Sequence, residues 1–532
     1  MLLHDLLYPA MSLRIKDIFI GKTDAKNELI ESSNQEILAF KSGFLMPDNV
    51  IPEDFFSGRR YYITGLKGTG KTALLRYLSI CVNENEKCHS SFILFKSDIK
   101  EDKRSELENI ADIINRGKDS LGGFKDFEQP WMLFLFQRVV KFCEDKSIQL
   151  FQNDSYWKEF RKTILASMNL KRKENSIFPK ISHGKVSLDA KYFKAELDID
   201  FSKASSESIQ NIDFESLIND CESAYQKLTP CGEKLYLFID EMELTLGTET
   251  QYQRDIDLIR DLVLSIDRLN RMSRSLKFPI YCITGIRQEV LAATQSTGKE
   301  INKSISDFGI ALRWQQFSGN DAKHPLIKII IKRLMYAEES LPKNERATES
   351  QIWDRYFPPE IDRKPIRKYI LDQTWYRPRD IVRILAIAQQ QFPNEEMFSE
   401  NVFSSINKNY SVESWTEQEE ELRTKYSKTD IKGIKHIFMG LSNPFTYNEV
   451  LSHSEELRDM YDSVNSVLLK YKLGDILSHM FRLGIIGNSE TNAMRFSFRG
   501  DEELLIEKPM MVHRALWNVL SIKKKSKKEM QR

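Results

Sequence analysis

The eight residues GLKGTGKT, Gly65 to Thr72, follow the pattern G-x-x-x-x-G-K-[ST] and lie between an apolar run, YYIT, and a helix-forming run, ALLRYLSI. Glycines at 65, 68 and 70 let a loop curl so that backbone N–H groups converge on an anion at a helix N-terminus. Lys71 is then placed to reach the β- and γ-phosphates of a nucleoside triphosphate, and the Thr72 hydroxyl to ligate Mg²⁺. Lys67, Thr69 and Ala73 complete the backbone cradle, so the pattern predicts ATP with Mg²⁺ held by Gly65 to Ala73.

A second constellation follows the apolar run Leu235 to Ile239, which delivers Asp240 and Glu241 at its carboxyl end. Open parallel sheets bind ligands at that edge. Alone, an acidic pair there is a solvated strand end. Downstream of a phosphate-binding loop, Asp240 is expected to serve the metal and Glu241 to orient or deprotonate the attacking water, with Glu243 as an alternative base. The run FPIYCITGIRQEV ends in Thr284 and Arg287, where a group sensing the terminal phosphate belongs, and Arg287 is the better candidate because a guanidinium binds phosphate by charge-assisted hydrogen bonds. In WYRPRDIVRIL, Pro378 opens a helix flanked by Arg377 and Arg379. Cations at a helix N-terminus oppose the macrodipole, which suggests an anionic partner, although pairing with a nearby carboxylate also fits.

These groups need an α/β scaffold. Strand-length apolar runs recur at Tyr61 to Thr64, Phe92 to Phe95, Leu235 to Ile239, Ile280 to Thr284 and Ile310 to Trp314, separated by helical patterns, as in a parallel sheet. The long gap between the second and third runs predicts an inserted segment over 100–230. Helical patterns from Trp131 and from Trp157 to Met168 open it. Lys185 to Phe201 then alternates as one or two antiparallel strands, and SKASSES reads as a loop. The expected domains are a core over 1–319, a helical lid over 320–425, a winged helix over 426–520 and a disordered basic tail over 521–532. The winged helix is read from a helix over Ile431 to Leu441, a capping box at Thr446 and Glu449, a helix ending at Gly484, and strands GIIGN and MRFSF. Its Lys470, Lys472, Arg482, Arg495 and Arg499 are candidate phosphate contacts, diluted by acidic neighbours.

The 532 residues are 41% hydrophobic and 29% charged, which fits several folded domains. A formal charge of +1 excludes a molecule-wide field drawing it to nucleic acid or anionic lipid. Six scattered cysteines form no CxxC pair, which argues against a zinc or disulfide framework and for a reducing cytoplasm. No apolar run reaches membrane-spanning length, so no membrane partner is expected. The histidines, including His183, His479 and His513, form no triad or metal spacing and read as surface or capping residues.

Together the motifs resemble the additional-strand P-loop ATPases, with lid and winged helix in the order of origin-recognition and STAND-type proteins. Closer still, FIGKTDAKNEL, GLKGTGKTALL, FIDEME, TGIRQEV, RPRDIVRI and HRALWNVL resemble stretches of a group of bacterial P-loop ATPases, some linked to phage-defence loci. The resemblance implies slow Mg²⁺-dependent ATP hydrolysis by a homo-oligomeric switch controlling a partner effector protein. With nucleotide bound nearby, Arg287 and the lid residues Arg377 and Arg379 are the expected phosphate sensors. Arg313 is a candidate finger toward a neighbouring subunit. The alternatives are a DNA-binding ATPase acting through residues 426–532 and a scaffold that binds ATP without turnover.

Overall fold

The computed structural model describes residues 12–29, 33–115, 126–168, 181–182, 185–188, 210–244, 248–295, 300–314, 321–489 and 494–525. SKASSES, most of the expected alternating stretch, His183 and the end of the basic tail lie outside them. The chain divides into two compact units. One comprises Asp48–Lys67 and Lys71–Leu312, the other Met1–Pro47, Gly68–Gly70 and Arg313–Arg532.

The first unit is built on a five-stranded sheet. Its strands are β1 (Tyr62–Gly65), β2 (Cys88–Leu94), β3 (Lys234–Met242), β4 (Ile280–Arg287) and β5 (Gly309–Ala311). They lie in the order β2-β3-β4-β1-β5, every neighbouring pair parallel. Each of the five apolar runs contains strand residues, with shifted bounds. β2 starts earlier than its apolar run because it is an edge strand, where the polar residues of CHSS need only partial burial. β5 stops at Ala311, short of Trp314.

Helix α1 (Lys71–Asn83) follows β1 through the glycine loop, and α2 (Glu249–Leu276) precedes β4. Between β2 and β3 the inserted segment forms helices Glu101–Asn115, Glu128–Lys146, Ser155–Met168 and Phe214–Gln226. Strand Lys185–Leu188 pairs antiparallel with Ile181–Ser182 and Gln210–Asp213. The inserted helices share the core of this unit. Trp131 is fully buried and donates its indole N–H to the Leu258 carbonyl of α2 at 2.9 Å, and Tyr225 meets Phe278 edge-on at 4.9 Å.

In the other unit, helices Pro325–Ala337, α3 (Pro378–Gln391) and α4 (Glu400–Leu422) pack together. Residues before Pro47, read from the sequence as core, group with this unit. Gln389 of α3 donates to the Ile15 and Ile18 carbonyls at 2.8 Å each, which anchors the entering chain. Beyond α4 come helices Lys428–Phe438, Tyr447–Arg458, Asp462–Lys470 and Leu473–Arg482, then antiparallel strands Ile486–Ser489, Met494–Arg495 and Met510–Val512. The Thr446 and Glu449 capping box forms. Two expectations are corrected here. Helix Asp462–Lys470 was not anticipated, and MRFSF is not one strand: it leaves the sheet after Arg495 and turns as 3₁₀ at Ser497–Arg499, which buries Phe496 and Phe498 together.

Candidate functional site

The Gly65–Thr72 loop joins β1 to α1, so its end is the N-terminus of α1. Gly68 and Gly70 hold φ of 81° and 93°, a region that disfavours side chains. Lys71 is buried and its ammonium donates to the Gly65 and Leu66 carbonyls, each at 2.8 Å. Lys67 acts electrostatically on Glu243. Ala73 lies in the first turn of α1.

The Thr72 side chain hydrogen-bonds Asp240 at the end of β3. Asp240 is buried, and that burial pushes its carboxyl above the usual range against the pull of Thr72, the Glu241 amide and Lys71. Next to it the β3–β4 register shifts between Ile239 and Met242, and Glu241 takes φ of 59°. The β-bulge thus falls on the two adjacent carboxylates and interrupts the regular alternation of β3 there. Thr284 is fully buried and donates its hydroxyl to the Ile239 carbonyl at 2.9 Å. Its side chain is thus spent on the backbone at the bulge rather than offered as a sensor.

Arg287 ends β4 in register with Gly65. It donates to the Glu243 carboxylate, which also accepts from Lys96 at 3.1 Å. Burial raises the Glu243 pKa, but Arg287, Lys96 and Lys67 outweigh it and hold the group below its ordinary value. Gly285 was not singled out from the sequence. A Cβ there would stand 3.3 Å from Leu75 Cδ1 and 3.4 Å from both Asp240 Oδ1 and Lys71 Cβ, so glycine lets β4 approach this cluster. No spacing rule marks such a position.

Within the other unit, Gly68–Gly70 is grouped with the arginines of RPRD. A Cβ on Gly68 would lie 3.2 Å from Arg379 Cβ and 3.4 Å from Arg377 Cδ, and Trp314 Nε1 donates to the Thr69 carbonyl at 2.8 Å. Both arginines also bind carboxylates. Arg377 Nε donates to Asp380 at 3.1 Å, while Arg379 donates to Glu417 at 3.2 Å and to the Thr23 carbonyl at 3.0 Å. Arg383 shares Glu417. Burial opposes the charge on Arg377, and Asp380 and Glu417 outweigh it. The cluster therefore sets three guanidinium groups against two carboxylates. Arg313 is exposed.

The residues just before Arg377 are clamped. Trp375 is buried, donates to the Gly484 carbonyl at 2.8 Å and stacks on His513 at 4.1 Å. His513 Nε2 donates to the Thr374 carbonyl at 3.1 Å, since its Nδ1 accepts from Ala515 N–H at 3.3 Å. Tyr376 has φ of 51° and meets Phe498 edge-on at 5.7 Å. His513 is thus a buried packing residue as well as a cap, and not a surface one.

Of the basic residues nominated for nucleic acid, Lys470 is paired with Asp430 at 2.8 Å, Arg495 with Asp501 at 2.8 Å, and Arg499 lies over the Tyr376 ring at 4.9 Å. No helix among the described residues is long and apolar enough to cross a membrane.

A family model described as the FunZ-associated C-terminal helical domain matches residues 324–417, which span α3 and most of α4. No curated protein matches the chain.

Proposed function

We propose that the chain is an ATP-binding switch that hydrolyses ATP slowly on Gly65–Thr72 and works in anti-phage defence as an oligomer controlling a partner effector. The observation that carries this reading is the junction of Lys71, Thr72 and Asp240, where a phosphate-seeking ammonium, a hydroxyl and a buried carboxylate meet at a helix N-terminus. β4 lies between the loop strand β1 and the carboxylate strand β3, as the additional strand does in the ATPase class the sequence resembles. The biological setting rests on the resemblance to ATPases of phage-defence loci, with which the match of residues 324–417 to the FunZ-associated C-terminal helical domain is compatible.

The residues fit Mg²⁺. Thr72 and Asp240 offer only oxygen donors, which suits a hard cation, and they already touch each other. Mg²⁺ bound there would neutralise charge on the phosphates. Asp240 would hold the ion or its water shell, and Lys71 would exchange its loop carbonyls for phosphate oxygens. Glu241, next to Asp240 at the bulge, would orient and deprotonate water. Arg287 would answer to the terminal phosphate.

Phosphate release and nucleotide binding test this reading together. Lys71→Ala is expected to lose ATP binding. Glu241→Gln is expected to keep binding and lose turnover by about 10²-fold or more, the scale of a general base. Unchanged release in Glu241→Gln would remove the proposed base, and binding without turnover in the wild type would leave a scaffold. Light scattering of Glu241→Gln with saturating ATP tests assembly, and an unchanged mass would count against it.

A further inference from the structure

The Glu243 carboxylate sits among three cations. One oxygen accepts from Arg287, the other from Lys96 at 3.1 Å, and Lys67 adds electrostatic attraction. Arg287 also approaches Glu289 at 3.8 Å. Two of these cations belong to the nucleotide site as read above: Lys67 is a loop residue, and Arg287 is the strand partner of Gly65. The Arg287–Glu243 pair is partly buried, with side chains 21% and 28% exposed, so water screens it incompletely.

Glu243 thus engages, in Arg287 and Lys96, the kind of donors that also bind phosphate. A terminal phosphate carries more charge and more acceptor oxygens than a carboxylate and uses the same donors. We propose that Glu243 is an internal stand-in for the terminal phosphate, holding Arg287 in the nucleotide-free protein until a triphosphate, but not a diphosphate, displaces it. This rests on the reading that Gly65–Thr72 binds ATP. Glu243 is then a discriminating residue rather than an alternative base. Its displacement opposes triphosphate binding and frees an acidic group beside Arg287 when the phosphate is in place.

The test is equilibrium titration of the full chain with fluorescent analogues of ATP and ADP, each with Mg²⁺. Glu243→Gln is expected to bind the ATP analogue roughly tenfold more tightly, since a charge-assisted hydrogen bond no longer has to be broken. Its affinity for the ADP analogue should not change, which a merely structural role for Glu243 would not produce. The gain should vanish when Arg287→Gln is added. If Glu243→Gln leaves the ratio of the two affinities unchanged, or weakens both, the stand-in is overturned while the nucleotide reading survives. If the wild type binds neither analogue and Lys71→Ala alters nothing, both readings fall.

Discussion

Glu241 holds a backbone conformation that a non-glycine residue takes only at a cost of about 1–3 kcal/mol. Thr284 steadies this bulge by serving the Ile239 carbonyl. Glu241→Gly is therefore expected to raise the unfolding midpoint slightly while turnover falls; a lower midpoint would show that the bulge is not strained. Gly285→Ala should weaken nucleotide binding only slightly, because its methyl group would crowd Leu75 Cδ1 at 3.3 Å while merely touching Lys71 and Asp240 at 3.4 Å. Asp240 supplies a pH signature. Its raised pKa means that, as pH falls through that value, a proton competes with the metal, whereas above it the carboxylate is free to bind. The Mg²⁺ concentration for half-maximal hydrolysis should rise toward acid, and Asp240→Asn should abolish the trend. The juxtaposition of Lys71, Thr72 and Asp240 was legible because the G-x-x-x-x-G-K-[ST] spacing sets Lys71 and Thr72 at the start of the helix after β1, and the apolar run of β3 ends at Asp240. The bulge and Gly285 were not, since both depend on how β3 and β4 approach.

At the scale of elements, α2 carries a line of buried charge. Asp255, Arg260 and Asp261 are fully buried, Arg260 bonding Asp261 at 2.7 Å and Asp257 at 2.8 Å. Arg104 of the inserted segment binds Asp255, and Glu101 accepts from Arg254 at 2.6 Å. These pairs fix the insertion's first helix to α2. Removing one member leaves an uncompensated charge, at a cost of about 3–5 kcal/mol. Arg260→Ala should lower the thermal unfolding midpoint far more than Arg59→Ala, whose guanidinium is exposed. Nothing in the sequence marks this charge-rich helix as buried, because a pairing partner such as Arg104, 151 residues from Asp255, leaves no local pattern. The strands were legible for the opposite reason: a parallel sheet covered on both faces demands apolar runs.

At the scale of the whole molecule, the unit containing the C-terminal half is built to fail in acid. Burial lowers His513 to about 3, and His324 and His479 to about 4. Each is held neutral when folded and becomes protonated near pH 6.5 when unfolded, so stability is complete above ~6.5 and declines below it. For His513 alone the loss is about 1.4 kcal/mol per pH unit until its folded pKa is reached. The melting temperature should drop between neutral pH and pH ~5, and His513→Phe should shrink the slope. The units themselves were only partly legible, since grouping Met1–Pro47 with residues beyond Arg313 depends on tertiary contacts.

The Trp375 clamp bears on how this chain can be dissected. Cutting after the helical segment, at about residue 425, would strip Gly484 and His513 from the indole and from Thr374. A shortened protein would thus present a bare tryptophan and an unsupported left-handed Tyr376 immediately before Arg377. Any change of behaviour in such a truncation would report damage to the arginine loop as well as the absence of the C-terminal elements. Point substitutions on the exposed face of Leu473–Arg482 are the cleaner way to ask what the C-terminal elements touch.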